Sequence, residues 1–179
     1  MTLQTRVRTL AALFTFLAAL GPFSSQAEQE GTSKASVVFV NPENFTDAGY
    51  SKIERSSPAI LLQLQRFIVE TATRQLPESL HLEIKITDID LAGDFEVFRG
   101  PQFEHVRVNK SIYPPRIVLD FRVLDAGRQS VRHGHRELSD LNYQLRVVSQ
   151  REDPLRHEKE LLQDWLKQEL TVLSAEKTK

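Results

Sequence analysis

Between Ser57 and Pro77 the apolar residues recur at three- and four-residue spacing: Ile60, Leu61, Leu64, Phe67, Ile68, Thr71, Ala72 and Leu76. That period puts them on one stripe of an α-helix, with Gln63, Arg66, Glu70 and Arg74 on the wet side. Ser57 suits the cap position, Pro58 the first helical position, and Pro77 ends the element. Leu80 to Ile86 instead alternates, with Leu80, Leu82, Ile84 and Ile86 on one face and His81, Glu83 and Lys85 on the other, which predicts a strand. The phase then slips, because Asp88 and Asp90 take the apolar parity. A β-bulge near Thr87–Asp88, or the end of the strand, accounts for the slip.

Upstream, Ser36 to Val40 is a short β-rich run, followed by a turn-forming stretch from Asn41 to Tyr50. Residues 92–114 are irregular, with Gly93, Gly100, Pro101, Pro114 and Pro115 among aromatic side chains, and Val106 and Val108 predict only a short edge strand. Arg116 to Leu124 and Gln129 to Leu138 form a hairpin around Asp125-Ala126-Gly127. A last helix starts with Asp153 as cap and Pro154 in first position, and its stripe runs through Leu155, Leu162, Trp165, Leu166, Glu169 and Leu173. The order is β-α-β, an irregular excursion with a short β, then β-β-α. It predicts an α+β fold: a single sheet with two amphipathic helices packed on one face.

The N-terminus has a different pattern. Arg6 and Arg8 precede an apolar run from Leu10 to Leu20, broken only by Thr15; Gly21-Pro22 and Ser25-Gln26-Ala27 follow. This is the layout of a cleavable secretory signal, and its 11-residue run falls short of the roughly 20 apolar residues that span a bilayer. The expected organisation is a signal peptide over 1–27, a leader over 28–34, one α+β domain over 35–174 and a charged tail over 175–179. Periplasmic, soluble export is the expectation. With no cysteine near the cleavage site, no lipid anchor is expected, and no membrane span in the mature chain.

Composition then narrows the chemistry. Cleavage takes 2 of the 23 basic side chains and none of the 24 acidic ones, so the formal charge moves from −1 to −3. That balance argues against a nucleic-acid partner. The absence of cysteine excludes disulfides and thiol catalysis. No nucleophile elbow, phosphate-binding glycine loop or helical two-histidine zinc motif is present.

Two constellations remain. In Arg132-His133-Gly134-His135-Arg136 the imidazoles share one face of a strand, the spacing of a two-histidine metal clamp, with Glu137 and Asp140 as candidates for a third ligand. A three-residue loop at 125–127 would turn His133 and His135 to the face of Ile117 and Phe121. A two-residue loop would turn Arg132, Gly134 and Arg136 there instead. Read as ordinary strand histidines, they imply no metal and no cofactor; read as a site, they imply a hydrolase or metal-binding protein using His133, His135 and nearby acids. Asp88 and Asp90 form a carboxylate pair, either turn formers or an acid–base or cation site. The binding candidates are Asp88, Asp90, Asp140, Asn142, Tyr143, Arg156 and Glu158, the last two facing the 140–143 stretch from the start of the final helix. No residue is assigned a catalytic role.

Five segments in order carry a family likeness: Val38 to Asp47, Asp88-Ile89-Asp90-Leu91-Ala92-Gly93-Asp94, Pro115-Arg116-Ile117, Leu138 to Tyr143, and Pro154 to Lys159. The chain resembles the exported proteobacterial proteins catalogued as domain of unknown function 3016, although His157 stands where that pattern has a tyrosine. The resemblance implies periplasmic export and a single α+β domain, and it implies no activity. The order of elements also looks like that of small envelope assembly domains. The expected function is a non-catalytic binding or interaction domain of the cell envelope, with an envelope protein as partner.

Overall fold

Ile60, Leu61, Leu64, Ile68, Thr71 and Ala72 are buried along one side of helix α1 (Pro58–Gln75), as their spacing requires. Pro58 occupies the first turn, and Leu76 is extended, as the residue before a proline must be. Ser57 holds the cap position but its hydroxyl makes no cap bond. Its backbone does the work instead: the carbonyl accepts Leu61 N–H (3.0 Å) and the amide donates to Ala48 O (2.8 Å).

The computed structural model describes residues 33–147 and 152–176. The expected signal peptide, most of the leader and the end of the tail lie outside the described residues. Four strands form the main sheet in the order β1-β2-β5-β6: β1 (Ala35–Phe39), β2 (His81–Asp90), β5 (Arg116–Leu124) and β6 (Ser130–Ser139). β1 runs parallel to β2, with α1 as the crossover, and the other neighbours are antiparallel. The excursion contributes β3 (Asp94–Phe95) and β4 (Arg107–Val108), which pair with each other as a separate ribbon rather than forming an edge of the main sheet.

Helix α2 (Arg156–Glu176) begins two residues later than the capping pattern suggests. The Asp153 carboxylate accepts Leu155 N–H (2.9 Å), so Pro154 and Leu155 form a lead-in turn. Both helices contribute to one core with the inward side chains of the sheet, among them Leu82, Ile84, Ile86, Ile117, Leu119, Phe121 and Val123. The α+β reading therefore holds.

Two irregularities decide which side chains face where. The register of β2 against β5 shifts between Ile86 and Asp88, which is the bulge anticipated from the phase slip. It keeps Ile89 in the core and turns Asp88 and Asp90 outward. In the hairpin, Arg128 N–H bonds Asp125 O (2.9 Å), Arg128 is left-handed (φ 63°), and a second shift pairs Val123 with Arg132. Arg132, Gly134 and Arg136 therefore lie on the helix-covered face, the second of the two parities open from sequence. Buried Glu169 of α2 meets both guanidinium groups, at 2.7 Å from Arg132 Nε and 2.7 Å from Arg136 Nε. Arg136 also lies over the Phe121 ring, 5.0 Å from its centre. The opposite face carries Lys85, Asp120, Arg122, His133, His135 and Glu137, all exposed.

Candidate functional site

Where β2 ends and β5 begins, the bulge brings Asp90 into the wall of a cleft of about 260 Å³, while Asp88 lies outside its lining and bonds two wall residues, Thr46 and Arg116. Its walls include Thr46, Asp47, Lys52, Arg55, Asp90 and Arg116. The wall from 46 to 48 is laid against the end of β2 by backbone bonds: Asp47 N–H to Ile89 O and Leu91 N–H to Asp47 O, both 2.9 Å.

Three of the four aspartates here are satisfied. Arg107 grips Asp47 with two bonds (2.8 and 2.9 Å), and also donates to Gly93 O and Gly49 O (both 3.1 Å). Its guanidinium lies 4.4 Å from the centre of the Phe95 ring, so it ties the 47–49 wall to the β3–β4 ribbon. Asp88 accepts Thr46 N–H (2.7 Å) and the Thr46 hydroxyl (2.9 Å), and pairs with Arg116. Asp94 accepts Lys52 Nζ at 2.7 Å.

Asp90 has no hydrogen-bond donor among the described residues. Burial, with the charge of Asp47 next, raises its pKa to about 6, while Arg116 across the strand pair opposes the shift. A second, mainly apolar hollow of about 170 Å³ lies behind the 47–49 wall, lined by Tyr50, Ile60, Phe95, His105 and Leu155 among others.

The excursion that closes the cleft is held at three points. Glu158, in the first turn of α2 and 1% exposed, accepts Ala92 N–H at 2.7 Å. Glu96 is buried and takes Lys110, Arg99 (3.1 Å) and the Tyr113 hydroxyl (3.3 Å); the Lys110 bond leads in holding its carboxyl below the usual range. Tyr143 donates its hydroxyl to Lys110 O (2.8 Å), and its ring stands edge-on to His157, centres 4.7 Å apart. Burial raises the Tyr143 pKa and lowers that of His157. Gly93 is required in this turn, because its φ of 85° is left-handed and a Cβ there would sit 2.9 Å from the Val108 carbonyl oxygen.

Glu158 also carries a pH prediction. Burial raises its pKa above the ordinary 4.5, and Oε2 is buried with no partner among the described residues. Above 4.5 the unfolded chain has released this proton while the fold retains it. Stability therefore falls as pH rises from the unfolded value towards the folded one, by up to about 1.4 kcal/mol per pH unit, and levels off above it. Glu158→Gln keeps the acceptor for Ala92 N–H and removes that slope. Urea unfolding of both chains across the acid to neutral range should show the variant gaining on the wild type as pH rises. Parallel curves would count against the buried carboxyl.

The other candidates fall into two places. Asp140 pairs with Arg146 (2.5 Å) and accepts Asn142 N–H (2.9 Å), and Arg156 donates to Asp153 O (3.2 Å), all at the lead-in to α2. His133 and His135 are on the open sheet face, where His135 Nδ1 lies 2.8 Å from Asp120 and its side chain is 62% exposed. Among the described residues no group of three His, Asp or Glu side chains is arranged to hold a metal ion. No described helix is long and apolar enough to cross a membrane. Sequence reasoning passed over Asp47, Glu96 and Arg107. Asp47 left a trace as part of the turn-forming stretch from Asn41 to Tyr50, and Arg107 as the charged residue between Val106 and Val108.

What these features define is an α+β domain whose open sheet face is charged, with a carboxylate-lined cleft at one end of the sheet. The chain belongs to the family described as "Protein of unknown function (DUF3016)", whose model matches residues 33–168. No curated protein and no solved structure matches it.

Proposed function

We propose that this chain is an exported, non-catalytic binding domain of the periplasm that serves the cell envelope. In this reading the cleft over Asp90 receives a cationic or hydrogen-bond-donating group of an envelope partner. One observation carries it: Asp47 and Asp94, which line the cleft beside Asp90, are neutralised by Arg107 and Lys52, whereas Asp90 faces it with no donor among the described residues. A half-buried carboxylate in that state favours any ligand that supplies an amine or guanidinium. With its pKa at about 6, such binding weakens as pH falls through that value.

The test is an NMR titration with alkylamine and alkylguanidinium probes, repeated on Asp90→Asn. The reading expects shifts at residues 46–55 and 88–94 that vanish in the variant and fade below about pH 6. Probes that fail to bind, or that bind both chains equally, would sink it. The address is tested separately by cell fractionation and N-terminal sequencing, with a mature terminus at Glu28 expected.

A second reading has one observation in its favour. A carboxyl with a pKa near neutrality in a cleft is also suited to general acid–base work. It gains if Asp90→Asn abolishes a hydrolytic activity of the purified chain. The hydrolase or metal reading based on His133 and His135 needs them to converge with a carboxylate in a pocket, and their placement on the exposed sheet face lends it no support.

A further inference from the structure

The backbone hydrogen bonds fix which groups of β6 face off the sheet. Leu82 and Ile86 direct their polar groups to the β1 side: Leu82 N–H to Lys34 O (2.8 Å) and Ile86 O from Val40 N–H (2.9 Å). Glu83 and Lys85 therefore face β5, opposite Arg122 and Asp120. Those two residues are thereby committed to β2, which leaves Leu119, Phe121 and Val123 to bond β6 at Arg136, Gly134 and Arg132. By the same alternation His133, His135 and Glu137 direct both N–H and C=O away from the sheet. The His135 carbonyl accepts Arg136 Nη1 from its own strand at 2.8 Å.

β6 is 10 residues long, contains no proline and ends the sheet among the described residues. An edge of this kind is a template for another strand. Its usual deterrent, inward-pointing charge, is already neutralised, since Arg132 and Arg136 are both held by Glu169. The remaining question is which strand fits.

We propose that it is the same edge of a second copy, antiparallel, with the two-fold axis at His135. In that register His135 faces its own mate, and each His133 faces the Glu137 of the other chain, an imidazole against a carboxylate on the open face. On the helix-covered face Gly134 lies opposite the Arg136 of the other chain, and the space over Gly134 is taken by the Arg136 guanidinium and Phe121 ring of its own chain. Sliding the axis to Glu137 sets two carboxylates directly opposite each other, which destabilises a pair. Sliding it to His133 faces Glu137 with Gln129 and removes the charge match. The self-complementary register thus joins two four-stranded sheets into one that runs through both chains.

The chain has no cysteine, so one substitution gives one thiol per copy. Across a hydrogen-bonded antiparallel pair the Cα atoms lie about 5.5 Å apart, within disulfide reach. His135→Cys is expected to form a covalent dimer on mild oxidation, while Lys85→Cys on the same face, remote from the edge, is not. In sedimentation the wild-type chain should be dimeric. His135→Pro should be monomeric with its melting temperature nearly unchanged, because the lost N–H serves no bond inside the sheet. A wild-type chain that stays monomeric at all concentrations overturns the proposal. So does a dimer that His135→Cys cannot cross-link, a result that stands even if the proline variant does not fold.

Discussion

Arg107→Ala is expected to lower folding stability by about 3–5 kcal/mol, the range for removing one partner of a buried ion pair. The Asp47 side chain is only 11% exposed and that of Arg107 20%, so solvent cannot replace the two lost bonds. Gly93 O and Gly49 O lose a donor as well, and Phe95 loses the group that covers its ring. Urea unfolding measures the loss. A control separates the stranded charge from lost packing: replacing both partners, as Asp47→Leu with Arg107→Met, should recover most of the stability. A loss below about 1 kcal/mol in the single variant would place the pair in the class of surface bridges.

Glu169→Ala should be comparably damaging, for a related reason at the other end of the molecule. One carboxylate, 9% exposed, sits between Arg132 and Arg136 beneath α2. Its removal leaves two neighbouring guanidinium groups on a helix-covered face with their shared counter-charge gone. A loss of about 3–5 kcal/mol is expected, with the greatest rise in amide exchange along α2 and β6. Converting all three residues to well-packed apolar side chains should restore most of the stability, because the cost lies in charge left beneath the helix and not in the lack of an ion pair. If Glu169→Ala unfolds like the wild type, α2 is held by its apolar stripe alone.

That stripe also shows how far the sequence can be read. The period of α1 and the alternation in β2 were legible because each sets a whole face apolar against a whole face polar. The bulge was legible as the point where that alternation changes phase. The hairpin register was not, since arginine and histidine both have apolar stems with polar ends and suit either face of a strand. Glu169 held the missing information. A carboxylate within a buried stripe calls for cations opposite, which selects the register that puts Arg132 and Arg136 inside. Around the cleft, Asp88 and Asp90 stood out by position, whereas Arg107 did not. Its partner is 60 residues away, and no local period connects them. Glu158 was visible as a charged residue opening a helix, but its burial depends on a backbone amide 66 residues earlier.

That last bond dictates an order of events. Ala92 cannot be secured until residue 158 has been synthesised and its helix has docked, while β2, β5 and β6 pair entirely within residues 81–139. The cleft is thus the last part of the domain to be born. A chain caught short of its final helix would lack both the bond that holds Ala92 and the α2 half of the core, so ligand binding in the cleft would report on completed folding.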